Sequence, residues 1–176
     1  QSMTNTLTSD AKATIEQMAL GAIERRYAYM VLADHSQTAA YAGGLSPAAV
    51  MKQHREIDAL NAKLERFRIV KCIESDIRAD GSLDYDEDVL KSFELIIASV
   101  HSGLNMNEAD ATKRVVKAIE NPYTAILGHL TGRLLLAREG YPLDMEKVVD
   151  VCVRNRLAIE INADPHRLDM DWRHIK

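Results

Sequence analysis

The sequence predicts an α/β fold built on a parallel sheet. Short β-rich runs alternate with helical patterns along the chain, the signature of βαβ units. The runs are nearly continuous in apolar residues, as strands are in a sheet covered on both faces or closed into a barrel. The helical patterns begin at recognisable caps.

Taken in order, Thr14 and Gln17 form a capping box ahead of Ile15, Met18, Ala19, Ala22 and Ile23 at helical spacing. Tyr29-Met30-Val31-Leu32 is the first strand and leads to Ala33-Asp34-His35-Ser36. After the loop at Gly43-Gly44, Ser46 caps a long helix with Pro47 at its first position. Val50, Ile57, Leu60 and Leu64 give that helix its buried stripe. Ile69 to Ile73 is the second strand, ending in Glu74-Ser75-Asp76. An acidic helix over 86–93 leads to the third strand, Leu95 to Val100, which ends at His101. Asn107 caps a helix carrying Ala111, Val115, Ala118 and Ile119, stopped by Asn121-Pro122. Ala125 to Gly128 is the fourth strand and ends at His129. Asp144 caps a helix with Met145, Val148, Val149 and Cys152 on one face. Leu157 to Ile161 is the fifth strand, ending at Asn162, and the tail to Lys176 is polar.

The chain of 176 residues, 47% hydrophobic and 27% charged, suits a single folded domain over 1–176 and excludes general disorder. Its net charge of −4 argues against a broad basic face for duplex DNA, though not against a small phosphate pocket. No run reaches the roughly 18 apolar residues of a membrane helix, so no membrane partner is expected. Cys72 and Cys152 lie in apolar segments and read as reduced core thiols, which points to the cytoplasm. Gln1-Ser2-Met3 reads like the remnant of an expression tag.

Chemistry concentrates at the strand ends. Four consecutive strands terminate in His35, Glu74, His101 and His129. In parallel α/β folds these ends share one rim, where active sites form. Any one of them alone reads as a structural residue, but four in succession form a ligand set for zinc, manganese or iron. Asp34 and Asp76 stand beside them as ligands or supporting carboxylates. His54 reads as a boundary residue of its helix, and His166 and His174 as solvated. Arg133, after the fourth strand, either holds a phosphate with its fork-shaped guanidinium or pairs with Glu139 or Asp144.

Asp34-His35-Ser36, Ile73-Glu74, Ala98-Ser99-Val100-His101-Ser102 and Gly128-His129 resemble the middle motifs of the polymerase and histidinol phosphatase (PHP) superfamily. Asp80 to Asp84, Thr131 to Leu135 and Glu160 to Ala163 narrow the resemblance to the PHP domain at the C-terminus of bacterial family X DNA polymerases. The resemblance implies an incomplete version of a distorted (βα)7 barrel and a metal-dependent phosphoesterase, acting as a phosphatase or as a 3′–5′ exonuclease on DNA 3′ ends. It implies one or two divalent ions (Mn, Zn or Fe) on His35, Glu74, His101 and His129. Glu74 and His101 would carry the catalysis, with Glu74 as bridging carboxylate, and Arg133 would contact the phosphate. It also implies a polymerase domain in the parent protein. Histidinol phosphate is the substrate of another branch that shares these motifs.

The departures shape a competing expectation. Ser9-Asp10-Ala11 matches the end of the opening motif, but Met3 and Asn5 stand where its two histidines belong, and the closing Asp-x-His motif would follow Lys176. Arg26, Cys72 and Leu130 stand where Gly, Gly and Pro are expected. About half of a multinuclear site is therefore expected, with weakened activity. The alternative is an inactive barrel fragment whose open sheet edges pair with a second copy as a homodimer.

Overall fold

The computed structural model describes residues 13–175; the positions of Met3, Asn5 and Ser9-Asp10 lie outside them. Among the described residues five α-helices and five strands alternate: α1 (Ile15–Glu24), β1 (Tyr29–His35), α2 (Pro47–Asn61), β2 (Arg68–Asp76), α3 (Glu87–Leu90), β3 (Leu95–Ser99), α4 (Glu108–Ile119), β4 (Ile126–Leu127), α5 (Met145–Asn155) and β5 (Ala158–Ile159). The strands form one sheet in the order β1-β2-β3-β4-β5. The pairs β1–β2, β3–β4 and β4–β5 are parallel. The parallel α/β expectation therefore holds.

The caps act as the sequence indicates. Gln17 N–H donates to Thr14 Oγ1 at 3.1 Å while Thr14 N–H donates back to Gln17 Oε1 at 2.9 Å, closing the capping box of α1. Ser46, Asn107 and Asp144 side chains accept from Ala49, Asp110 and Lys147 N–H groups at the starts of α2, α4 and α5. Two helices end before their expected limits: α2 stops at Asn61, so Leu64 lies beyond it, and α3 stops at Leu90. After Leu90 the chain tightens into i→i+3 turns, with Ser92 N–H and Ser92 Oγ both donating to Val89 O and Phe93 N–H to Leu90 O. Arg26 adopts φ 62, the left-handed conformation that favours glycine, at a position where the resemblance expected glycine.

The chain forms two compact units. The first runs to Glu74 and includes 85–95. Its core joins Ile15 and Ala19 of α1, Met30 and Leu32 of β1, Ile57 and Leu60 of α2, Phe67, and Ile69 of β2. The end of α2 is pinned to β2 by Asn61, whose amide donates to Ile69 O at 2.9 Å and accepts from Ile69 N–H at 2.8 Å. His54 departs from the boundary reading: it is buried, edge-on to Phe93 with ring centroids 4.8 Å apart.

The second unit comprises 75–84 and the chain from Ile96. Here α4 packs on α5. Val115, Ala118 and Ile119 are buried on α4, and Val148, Val151 and Cys152 on α5. Asp144 N–H donates to Thr112 Oγ1 at 2.9 Å between them. Both cysteines are free thiols and buried. Among the described residues no helix is long and apolar enough to cross a membrane.

Candidate metal centre

The first unit brings His35 and Glu74 together through strand register. The β1–β2 pairing aligns His35 with Glu74 directly, and the ladder continues as Ser36 N–H donates to Glu74 O. His35 Nδ1 lies 3.4 Å from Glu74 Oε2. Glu74 is almost wholly buried. Asp34 is buried beside them, and its Oδ2 accepts from Gln53 Nε2 at 2.6 Å. The turn after His35 needs Gly44. A Cβ there would stand 1.9 Å from Ser36 O.

The second unit brings together Asp76, His101 and His129. The side chain of Asp76, the last residue of β2, accepts from His101 Nδ1–H. His101 and His129 follow β3 and β4 by two residues each. Their rings meet edge to face, with centroids 5.1 Å apart. The carboxylate on Nδ1 fixes the His101 tautomer and leaves Nε2 as the ligand atom, the arrangement common to metal-bound histidines. His129 is positioned through its backbone, whose N–H donates to Glu160 Oε2 at 2.7 Å. Gly128 lets the end of β4 lie close against β3: a Cβ at Gly128 would stand 2.3 Å from Ser99 Oγ.

Glu74 and Asp76 are two residues apart on one strand, so their side chains share a face of β2. One short stretch of chain thus supplies a carboxylate to each unit's group. Imidazole and carboxylate donors of this kind fit a divalent metal.

Arg133 is committed elsewhere than to Glu139 or Asp144. Its Nη1 donates to Asp171 Oδ2 at 2.6 Å, its Nε to Arg167 O at 2.9 Å and its Nη2 to Leu168 O. The tail is thus more than polar filler. Asp169 is fully buried and accepts from Thr131 N–H, Thr131 Oγ1 and Gly132 N–H at 2.8–3.1 Å. His166 and His174 are exposed, as expected. Sequence reasoning missed Gln53, Glu160, Asp169 and Arg114. Glu160 alone carried a signal, as part of the Glu160 to Ala163 run that narrowed the resemblance.

Arg114 is the most deeply placed cation of the second unit. Burial pulls its pKa below the ordinary guanidinium value, and the charges of Tyr141, Asp76 and Asp80 oppose that shift. A guanidinium stays protonated under both influences.

Comparison with known proteins gives these donors a context. The chain is 42% identical, over 167 residues, to the Bacillus subtilis protein named DNA polymerase/3′-5′ exonuclease PolX. This chain resembles a stretch of a bacterial family X polymerase. The similarity takes in 95% of the chain but 29% of the polymerase. A probable phosphatase of Thermoanaerobacter sp. (strain X514) is 30% identical over 164 residues, 90% of the chain and 62% of that protein. Another, from Caldanaerobacter subterraneus subsp. tengcongensis, is 34% identical over 104 residues, 57% of the chain and 39% of its own length. The chain thus spans less than two thirds of each of these relatives. No family model matches it. The similarity to the polymerase and to the phosphatases accords with the PHP-domain resemblance of the strand-end motifs.

Proposed function

We propose that this chain is a metal-dependent phosphoesterase domain, acting on a phosphate ester or a DNA 3′ end. The observation that carries the proposal is the Asp76–His101 hydrogen bond beside His129, which prepares an imidazole as a ligand. The proposed ligands are His35 and Glu74 in the first unit and His101 and His129 in the second. One or two divalent ions (Mn, Zn or Fe) suit these donors. A metal bound there supplies Lewis-acid polarisation of a phosphoryl oxygen. The chain's own residues do the rest. Asp76 holds the His101 ring in one tautomer, Glu160 holds the His129 backbone, and Gln53 orients the Asp34 carboxylate. Arg133, with Arg138 and Arg173, lines a cavity of about 560 Å³ and is the proposed phosphate contact.

The test is a titration of metal-free protein with manganese and with zinc, repeated on His101→Ala. Saturable binding that weakens at least tenfold in the variant supports the reading. Equal binding by both proteins removes His101 from the site. A 3′-recessed DNA oligonucleotide assayed beside histidinol phosphate separates the polymerase-like substrate from the alternative.

The second reading, association between copies, draws on β1. It lies at the end of the sheet, with Tyr27 and Tyr29 more than half exposed beside it. Light scattering at micromolar concentration tests it: a dimeric mass supports pairing, and a monomeric mass excludes it.

A further inference from the structure

We propose that Arg114 is a positioning residue, whose guanidinium ties the chain after β2 to the chain after β3 and so holds Asp76 against His101. The inference rests on the metal-site reading above and assigns the residue that builds it. Arg114 sits on α4 and is 5% exposed. It makes no ion pair among the described residues. Its nitrogens go chiefly to backbone carbonyls instead: Nε to Arg78 O at 2.9 Å, Nη1 to Ser102 O at 2.9 Å, and Nη2 to Ile77 O, with Met106 Sδ a further acceptor 3.5 Å from Nη1. Ile77 directly follows Asp76, and Ser102 directly follows His101. One rigid fork therefore grips the residue next to each partner of the Asp76–His101 hydrogen bond. A direct backbone bond adds to it, with Ile77 N–H donating to Ser99 O at 2.8 Å.

Burying a cation without a counter-ion is costly. Packing alone would be served by an apolar side chain of the same length. What an apolar chain cannot do is satisfy three carbonyls at once, and a lysine ammonium lacks the fork that does so. The surroundings accommodate this placement. Gly81, with φ +82, lets the 78–82 turn lie against α4, where a Cβ would stand 2.8 Å from Arg114 O. Gly103, with φ +63, turns the chain past the Nη1 end.

The experiment compares wild type, Arg114→Met, Arg114→Lys and Val148→Ala, the last a packing lesion in α5. Two readouts are taken: cobalt(II) titration followed by its visible d–d bands, and the His101 Nδ1–H resonance of the metal-free protein. Expected is a cobalt affinity at least tenfold weaker in Arg114→Met, altered bands, and loss or shift of the His101 resonance. Arg114→Lys keeps the charge without the fork, is expected to show the same changes in milder form, and decides the matter if the methionine variant does not fold. Val148→Ala is expected to melt lower with unchanged bands and resonance. A wild-type resonance and wild-type cobalt spectrum in both Arg114 variants overturn the proposal. If wild type takes no cobalt while the resonance still depends on Arg114, the metal reading falls and the positioning role stands.

Discussion

His101 donates its Nδ1–H to Asp76 from the chain after β3 to the end of β2, 25 residues away in sequence. Both side chains are nearly inaccessible to solvent. A hydrogen bond to a carboxylate in such a setting is strong and directional. It sets which imidazole nitrogen is left to meet a ligand. Asp76→Asn keeps the shape and removes the charge. The expected outcome is a loss of metal affinity of about 10–100-fold with an unchanged circular dichroism spectrum. Calorimetric titration with zinc measures it, and an unchanged affinity would remove Asp76 from the site.

Gly128 and Ser99 are expected to be coupled. Gly128→Ala places a methyl group against Ser99 Oγ and costs about 1–3 kcal/mol by overpacking. Adding Ser99→Ala relieves the closest contact, so the double variant should be more stable than Gly128→Ala alone. Urea unfolding of the four proteins in the cycle reads the coupling. Strict additivity would show that the two residues do not meet.

His54 provides a pH signature. Its Nε2 is buried without a hydrogen-bond partner. Burial, helped by Lys71 and opposed by Asp58 and Glu94, pulls its pKa from 6.5 down to about 4. Between those values the unfolded chain binds the proton and the folded chain does not. Stability therefore falls as pH drops from 6.5 towards 4. His54→Leu should flatten that part of the difference. Melting temperatures of both proteins at pH 4.5 and pH 7 test it, and parallel profiles would contradict it.

Asp169 holds the loop after His129. Asp169→Ala strands the N–H of Thr131 and leaves Gly132 N–H with His129 O alone, at a cost of about 1–3 kcal/mol. The loop carrying Arg138 should then open, and limited trypsin digestion should cut there sooner than in wild type. Equal cleavage rates would show the loop is held by other contacts.

A cap offers a modest control. Asn107→Ala removes the acceptor for Asp110 N–H and should cost about 1 kcal/mol. Thermal melting reads it, and no change would show that water replaces the cap without loss.

Local features of this protein were legible before its structure. The caps at Thr14, Ser46, Asn107 and Asp144 are short-range chemistry, so four residues of sequence contain them. The strands are apolar runs whose ends carry polar residues, so His35, Glu74, His101 and His129 announced themselves by position. Arg26 even betrayed its left-handed backbone by standing where glycine was expected. The missed residues share another trait: their partners are distant in sequence. Gln53 meets Asp34 across 19 residues, Glu160 meets His129 across 31, and Asp169 meets Thr131 across 38.

By itself the sequence determined the order of strands and helices, the places where they start, and which donors end which strand. Periodicity and capping are properties of neighbouring residues, and they survive in any fold the chain adopts. The tertiary structure paired Arg133 with Asp171 of the tail, a partner that neither sequence reading named. It also decided that Asp76 turns to His101 and that Arg114 grips the carbonyls beside both. Those choices depend on where strand ends and helix faces meet, and that is set by packing between distant segments.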